Sequence, residues 1–359
     1  MATYYSKAHR LSETIRTDIE SGVFALFSRL PGEQRLAGMY NAARGTIRKA
    51  LAQLIDEGLL VRQGTRLVVN PEASNKGASL LLRKSTRRIA VVIPNDDQLT
   101  SGFTSGIFEL AANDETACFL FILGSRIPAE LRPESFDGMI LMPEERPPFH
   151  ELYEIWKNSG RCVVFLDRKL GNVEAPLVET DNSGAAYRAV TRLLSLYRRP
   201  VFFFSHPLDE STSTRERYNG YCNAMHDAGY GDSIEEHTVF FVFINLRERP
   251  DLLPMSGAMR KLCTLTPPLS IFAVNDLAAY AVYASCSRLG LKIGDNVKII
   301  GFDDTQWAYC ARPRLSSVRQ PPYEVGQVAY RLLMRLFENP EPAPPCIRLP
   351  ARLIEKESS

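Results

Sequence analysis

The 359-residue sequence has no apolar run of the roughly 18–20 residues needed to cross a bilayer. Its first residues, MATYYSKAHR, lack the apolar core of a secretory signal, so a cytoplasmic protein without membrane association is expected. No two of its seven cysteines form a C-x-x-C pair, which argues against a disulfide framework or a Cys/His metal site and for free thiols. The five histidines, His9, His150, His206, His226 and His237, are dispersed and stand beside no obvious nucleophile, so each reads as structural or surface. G-x-S-x-G, H-E-x-x-H and P-loop patterns are missing, which leaves neither an enzyme nor a cofactor expected. Exact internal repeats and low-complexity tracts are also missing.

What remains is an ordinary globular composition, 45% hydrophobic and 23% charged, in a chain long enough for two or three domains. The net charge of +2 hides an asymmetry. Residues 1–88 hold 15 Lys and Arg against 7 Asp and Glu, a net of +8; the rest hold 28 against 34, a net of −6. A basic end on an acidic body suits a polyanionic partner at that end only.

Hydrophobic periodicity divides the chain the same way. Leu11, Ile15 and Ile19 form one face of a helix over residues 9–21, with Gly22 as its stop. Residues 33–39 read as a second short helix. Residues 44–58 read as a third, with Ile47, Leu51 and Leu54 inward and Gly58 at its end. Two short β runs around Gln63 and Gly64 complete a helix–helix–helix–hairpin order within residues 1–70. Residues 71–87, rich in small, polar and basic types, read as a linker, with a short helical piece at 79–84. Beyond them, RIAVVIP, ACFLFIL, DGMILM, CVVFLD, PVFFFS, HTVFFVFI, LSIFAV and NVKIIGFDD are short apolar runs separated mostly by helical stretches. Such runs are strands buried on both faces, so residues 88–359 predict an α/β domain with one wide or two smaller parallel sheets and flanking helices.

The basic end carries a constellation suited to DNA. Arg44, Thr46, Arg48 and Lys49 stand at the start of the third helix, where Arg can grip guanine or phosphate and free amides bind phosphate. Arg62, Gln63, Gly64, Thr65 and Arg66 place two arginines around a glycine turn, a tip suited to the minor groove. LPGEQRLAGMYNAARGTIRKALAQLIDEGLL resembles the winged helix-turn-helix of GntR-type regulators. The matching residues include Leu30, Pro31, Glu33, Leu36, Ala37, Tyr40, Arg44, Thr46, Arg48, Ala50, Leu51, Leu54, Glu57 and Gly58. The resemblance implies DNA contact by Arg44, Thr46 and Arg48, with Gln63 and Gly64 at the wing tip; Lys49, Gln34, Arg35 and Arg66 are expected to join them. Ala43 stands where the family usually has Ser, Gln34 where some members have a phosphate-binding Arg, and the wing reads GTRLVV in place of G-x-G-x-F-V.

The larger domain resembles the periplasmic-binding-protein-like sensor of LacI-type repressors, element by element and in the same order. RRIAVVIP, FDGMILMP, CVVFLDRKL, VETDNSGAAYRAV, STRERYNGYCNAM, IFAVNDLAAYAV and VKIIGFDDTQWAYCARPRLSSVRQPPYEVGQVA carry the match. It implies two lobes, about 88–195 and 196–312, with a C-terminal segment 313–359 crossing between them. It also implies a small polar, sugar-like effector in the cleft, held by Arg168, Asp181, Arg217, Asp276 and Gln320. Phe103 or Trp307 would supply an aromatic platform. Asp181 and Asp276 have a simpler reading as helix caps, and Arg168 as a surface charge. The stretch between the first strand and FDGMILM is short for this family, so its crossover reads as trimmed. Together the two resemblances imply a homodimeric repressor that binds double-stranded operator DNA and responds to the effector.

Overall fold

The computed structural model describes residues 7–20, 30–57, 59–63, 66–69, 87–95, 97–114, 116–208, 211–240, 262, 264–339 and 345–359. The chain divides into two units, Met1–Thr86 and Arg87–Ser359. The 71–86 part of the linker, including its expected helical piece, and Gly22, Gly58, Gly64 and Thr65 lie outside the described residues.

In the first unit, α1 (Lys7–Glu20) packs across α3 (Arg44–Asp56), with α2 (Glu33–Met39) between them in the chain. Leu11, Ile15, Ile19, Ile47, Leu51 and Leu54, the apolar faces read from the sequence, are buried together, joined by Leu36 from α2. Strands β1 (Leu60–Gln63) and β2 (Arg66–Val69) pair antiparallel with Gln63 opposite Arg66. Leu60 and Val69 close the core from that side.

The second unit has two six-stranded sheets. The first runs in the order β13 (Cys346–Leu349), β7 (Leu177–Thr180), β6 (Cys162–Leu166), β5 (Gly138–Leu141), β3 (Arg88–Ile93), β4 (Ala117–Ile122), and every pairing is parallel. Helices α4 (Gln98–Asn113) and α11 (Pro322–Glu338) bury Phe103, Ile107, Val325 and Leu333 against one face. Helix α5 (Pro147–Asn158) buries Phe149, Leu152 and Trp156 against the other. The crossover from β4 to β5 contains only a 3₁₀ turn at Pro133–Ser135 where a helix would ordinarily lie, consistent with the short sequence there.

The second sheet runs β14 (Arg352–Ile354), β12 (Ser316–Arg319), β11 (Val297–Asp303), β10 (Leu269–Ala273), β8 (Phe202–Ser205), β9 (Thr238–Phe240). Only β14 is antiparallel to its neighbour. It is flanked by α6 (Asn182–Tyr197), α7 (Thr212–Asp227) and α9 (Asp276–Arg288); α8 (Ile234–His237) and α10 (Gln306–Cys310) are short. The eight apolar runs all form strands of the two sheets, but β4 and β9 are half-exposed edge strands and not buried on both faces as expected, and the end of HTVFFVFI lies outside the described residues.

One boundary differs from the sequence reading. Helix α6 falls within the expected first lobe but packs on the second sheet, where Ala185, Ala186, Ala189, Val190 and Leu193 join the cluster of Phe203, Phe204 and Phe272. The first crossing between sheets therefore lies at Thr180–Asn182. The chain crosses again between β12 and α11 and between β13 and β14. Strand carboxyl ends from both sheets meet at these three crossings, the part of an α/β structure where ligands bind.

A candidate effector cleft and a candidate DNA-binding helix

Between the two sheets lies a cavity of about 360 Å³. Its polar lining comes from residues that follow strands: Glu144, Glu145 and Arg146 after β5, Arg168 after β6, His206 after β8, Asn275 after β10 and Asp303 at the end of β11. Ser211, Ser213, Thr214 and Arg217 add the start of α7.

Arg217 is the best-anchored member. Its side chain is 7% exposed. Nε donates to Asn182 Oδ1 at 2.9 Å, Nη1 donates to the Val274 carbonyl at 2.8 Å, and Nη2 lies 3.2 Å from Asp303 Oδ1. The guanidinium lies 3.8 Å from the centre of the Phe302 ring. Gly220, one turn further along α7, permits this: a Cβ there would stand 2.2 Å from the Ser183 carbonyl, so only glycine lets α7 approach α6 so closely. Gln320 Nε2 also donates to Asp303 Oδ1, at 2.7 Å, while Thr180 donates to Gln320 Oε1 at 2.7 Å. Gln320 therefore links two of the three crossings to the cavity, and lines a smaller adjoining cavity of about 260 Å³. Burial raises the Asp303 carboxyl above the usual range, and Arg217 opposes that rise.

Arg168 lines the cavity with Nε and Nη2 at 2.8 and 2.7 Å from Asp167 Oδ2. The other Asp167 oxygen is buried with no hydrogen-bond partner among the described residues. Asp167 and Asp303 both hold positive φ, 68° and 101°, a conformation costing a non-glycine residue about 1–3 kcal/mol and concentrated at functional sites. Arg146 donates to Glu144 Oε2 at 2.6 Å and to the Leu123 carbonyl at 3.4 Å. The lobes also touch directly: Lys169 N donates to Thr212 Oγ1 at 2.9 Å, and Gln306 N donates to Gln98 Oε1 at 2.7 Å.

Of the five residues expected at the effector, Arg168 and Arg217 line the main cavity, and Gln320 reaches it through Asp303. Two are placed elsewhere. Asp181 caps α6, accepting from Gly184 N at 2.9 Å, with Arg188 at 3.5 Å. Asp276 is buried outside the lining at 1% exposure, accepting from Ser317 Oγ at 2.5 Å and Thr305 N at 2.6 Å. Burial first, and Asp303's charge second, push its carboxyl up to about 8. The preceding residue, Asn275, is the one in the lining; its Oδ1 caps α9 from Ala278 N, leaving Nδ2 for a ligand. Phe103 is fully buried in the first sheet's core, and Trp307 packs on Tyr280 at 4.9 Å, so neither forms a platform. His206, read as structural, lines the cavity, with its ring 3.3 Å from Thr214 Oγ1. Asp167, Asp303 and Asn275 lay within the segments that carried the resemblance. Glu144, Glu145 and Arg146 sit in a loop with no sequence signal.

In the first unit, Arg44, Arg48 and Lys49 are exposed on the first turns of α3, with Thr46 half-buried; Gln34 and Arg35 are exposed on α2. Ala43 cannot cap α3 with a side chain, which leaves first-turn amides to bind an anion. Arg48 reaches back to Glu33 at 2.8 Å, an exposed pair that phosphate can displace. Gln63 and Arg66 lie at facing ends of the hairpin strands. Among the described residues no group of His, Cys, Asp and Glu could hold a metal ion, and the six described cysteines are unpaired.

A basic helix with an open N-terminus in one unit and a cleft between two parallel sheets in the other define a DNA-binding regulator with a ligand-sensing body. Residues 7–67 match the bacterial regulatory proteins of the gntR family, and residues 190–359 match the periplasmic binding protein-like domain. The chain therefore joins a gntR-type helix-turn-helix to a periplasmic-binding-protein-like domain, the make-up of a transcription regulator and not of an enzyme. It is 24% identical over 348 residues to the HTH-type transcriptional regulator CelR of Thermobifida fusca, covering 92% of this chain and 98% of that one. It is 28% identical over 265 residues to the HTH-type transcriptional repressor CytR of Escherichia coli K12, covering 70% and 73%. Among solved structures, a CelR–cellobiose complex is similar at 23% identity with a TM-score of 0.65, covering 92% and 100%. A LacI family regulator from Enterococcus faecium with bound ribose is similar at 24% identity with a TM-score of 0.62, covering 76% and 98%.

Proposed function

We propose that the protein is a homodimeric repressor whose affinity for operator DNA is set by a small, sugar-like effector held between the two lobes. The observation that carries this reading is the convergence of Arg168, Arg217, Asn275 and Asp303 on one cavity in a chain that also presents an exposed basic α3. Arg44, Thr46, Arg48 and Lys49 enter the major groove, Gln34 and Arg35 hold the phosphate backbone, and Gln63, Gly64 and Arg66 form the wing contact. Residues 1–70 act as the DNA-binding domain, 71–87 as linker and 88–359 as effector-binding and dimerisation domain.

A second copy gives the symmetry that a near-palindromic operator requires. Leu120 and Ile122 on the edge strand β4, 43% and 53% exposed, and Phe240 on the edge strand β9, at 47%, favour a partner along that side. Effector bridging Arg168 of one lobe and Arg217 and Asp303 of the other stabilises the closed lobes, together with the Lys169–Thr212 and Gln98–Gln306 bonds. Closure shifts operator affinity only because the effector binds the two lobe arrangements unequally.

The DNA half of this reading is tested with Arg48→Ala. Fluorescence anisotropy on a duplex selected by the full chain from random DNA is expected to show binding weakened about tenfold to a hundredfold. Unchanged affinity would remove α3 from the DNA interface.

A further inference from the structure

We propose that the cleft selects an uncharged polyhydroxyl ligand of single-sugar size and rejects its phosphorylated or carboxylated forms. The inference rests on the reading of this cleft as an effector site and goes on to its charge selectivity. It comes from where each cavity charge already points.

The cavity has three guanidiniums, and each faces a carboxylate. Arg146 is held by Glu144, Arg168 by Asp167 and Arg217 by Asp303. A fourth carboxylate, Glu145, is shared by His150 and the Gly171 amide. An anionic group would therefore find no cation unoccupied among these three. It would meet guanidiniums whose charge is already neutralised and sit close to four carboxylates, two of them largely buried, Asp167 at 1% and Asp303 at 15% exposure.

What the cavity does offer is acceptors. Asp303 accepts from Gln320 and Arg217 on Oδ1, which leaves Oδ2, and Glu144 and Glu145 add carboxylate oxygens to the lining. A hydroxyl satisfies a lone carboxylate oxygen with a charge-assisted bond, and a second phosphate or carboxylate cannot. Asn275 Nδ2 and the guanidinium edges supply donors for the hydroxyl oxygens. Apart from the His206 ring, no aromatic side chain among the described residues lines the cavity, so recognition rests on hydrogen bonds and favours a ligand dense in hydroxyls. A volume of about 360 Å³ is at the small end for ligand sites, which suits one sugar ring and not a longer saccharide.

The test is calorimetric titration of the full chain with matched pairs: ribose and ribose 5-phosphate, glucose and glucose 6-phosphate, galactose and galactose 6-phosphate, with gluconate as a carboxylate. At least one neutral sugar is expected to bind, and its anionic counterpart to bind at least about tenfold more weakly, a difference of about 1.4 kcal/mol. A phosphate or carboxylate form that binds as tightly as its neutral partner, or more tightly, overturns the charge selectivity while leaving an effector site in place. Silence from every compound overturns the effector reading itself, and the selectivity with it. The Glu144→Gln variant, changed at a half-exposed pair and so expected to fold, frees Arg146; the phosphorylated member should then gain relative to the neutral one. An unchanged ratio would mean that paired guanidiniums are not the source of the selectivity.

Discussion

Arg217→Ala is expected to abolish effector binding and to cost the larger unit about 3–5 kcal/mol of stability, the penalty for stripping one partner from a buried ion pair. The guanidinium joins α7 to Asn182, to the carbonyl after β10 and to Asp303, and it covers the Phe302 ring. Its removal leaves the Asp303 carboxylate with only Gln320 in a site where burial already disfavours its charge. Arg217→Lys is the informative companion. It restores a charge near Asp303 but cannot donate in three directions from one plane, so stability should recover in part while effector binding does not. Urea unfolding followed by circular dichroism reads the first effect and calorimetry with the best neutral sugar reads the second. Effector binding by Arg217→Ala at the parent's affinity would remove this residue from the site.

The second large effect is a pH dependence centred on Asp276. Its carboxyl is raised from 3.8 to about 8 by burial and by the neighbouring Asp303 charge, so between those values the folded state holds a proton that the unfolded state has released. The resulting stability is fully present below the ordinary carboxylate range and is lost as pH rises through about 8. At about 1.4 kcal/mol per unit, the separation corresponds to roughly 6 kcal/mol across that window. Asp276→Asn cannot ionise and keeps an oxygen for the Thr305 amide. Unfolding free energies of parent and variant should therefore diverge between pH 5 and 8.5, with the variant gaining on the parent as pH rises. Parallel curves would show that Ser317 and Thr305 hold Asp276 ionised throughout.

The fold was legible where burial is two-sided. RIAVVI and LSIFA are strands because both faces are covered: every position except Arg88 is buried. Strands β12 (SSVR) and β7 (LVET) had no such signal, since their buried polar side chains are satisfied by specific partners. Ser316 accepts from Lys356 N and Glu179 accepts from Arg348, contacts that no local pattern reveals. The lobe to which α6 belongs was equally hidden, because an amphipathic helix fits either sheet until its partner is known. In the site, Arg168 and Arg217 could be read from the residues around them. Asn275, and not the adjacent Asp276, lines the cavity: neighbouring residues at a helix start point in different directions, and only the register of α9 decides which one meets the cleft.

The central claim is that occupancy of the cleft changes DNA affinity, and anisotropy on the selected duplex tests it most directly, with and without a saturating sugar whose binding calorimetry has established. The account predicts that operator affinity shifts by about 5- to 150-fold, a coupling of about 1–3 kcal/mol, and that Arg217→Ala removes the shift. An affinity that is the same with the cleft filled and empty would contradict it.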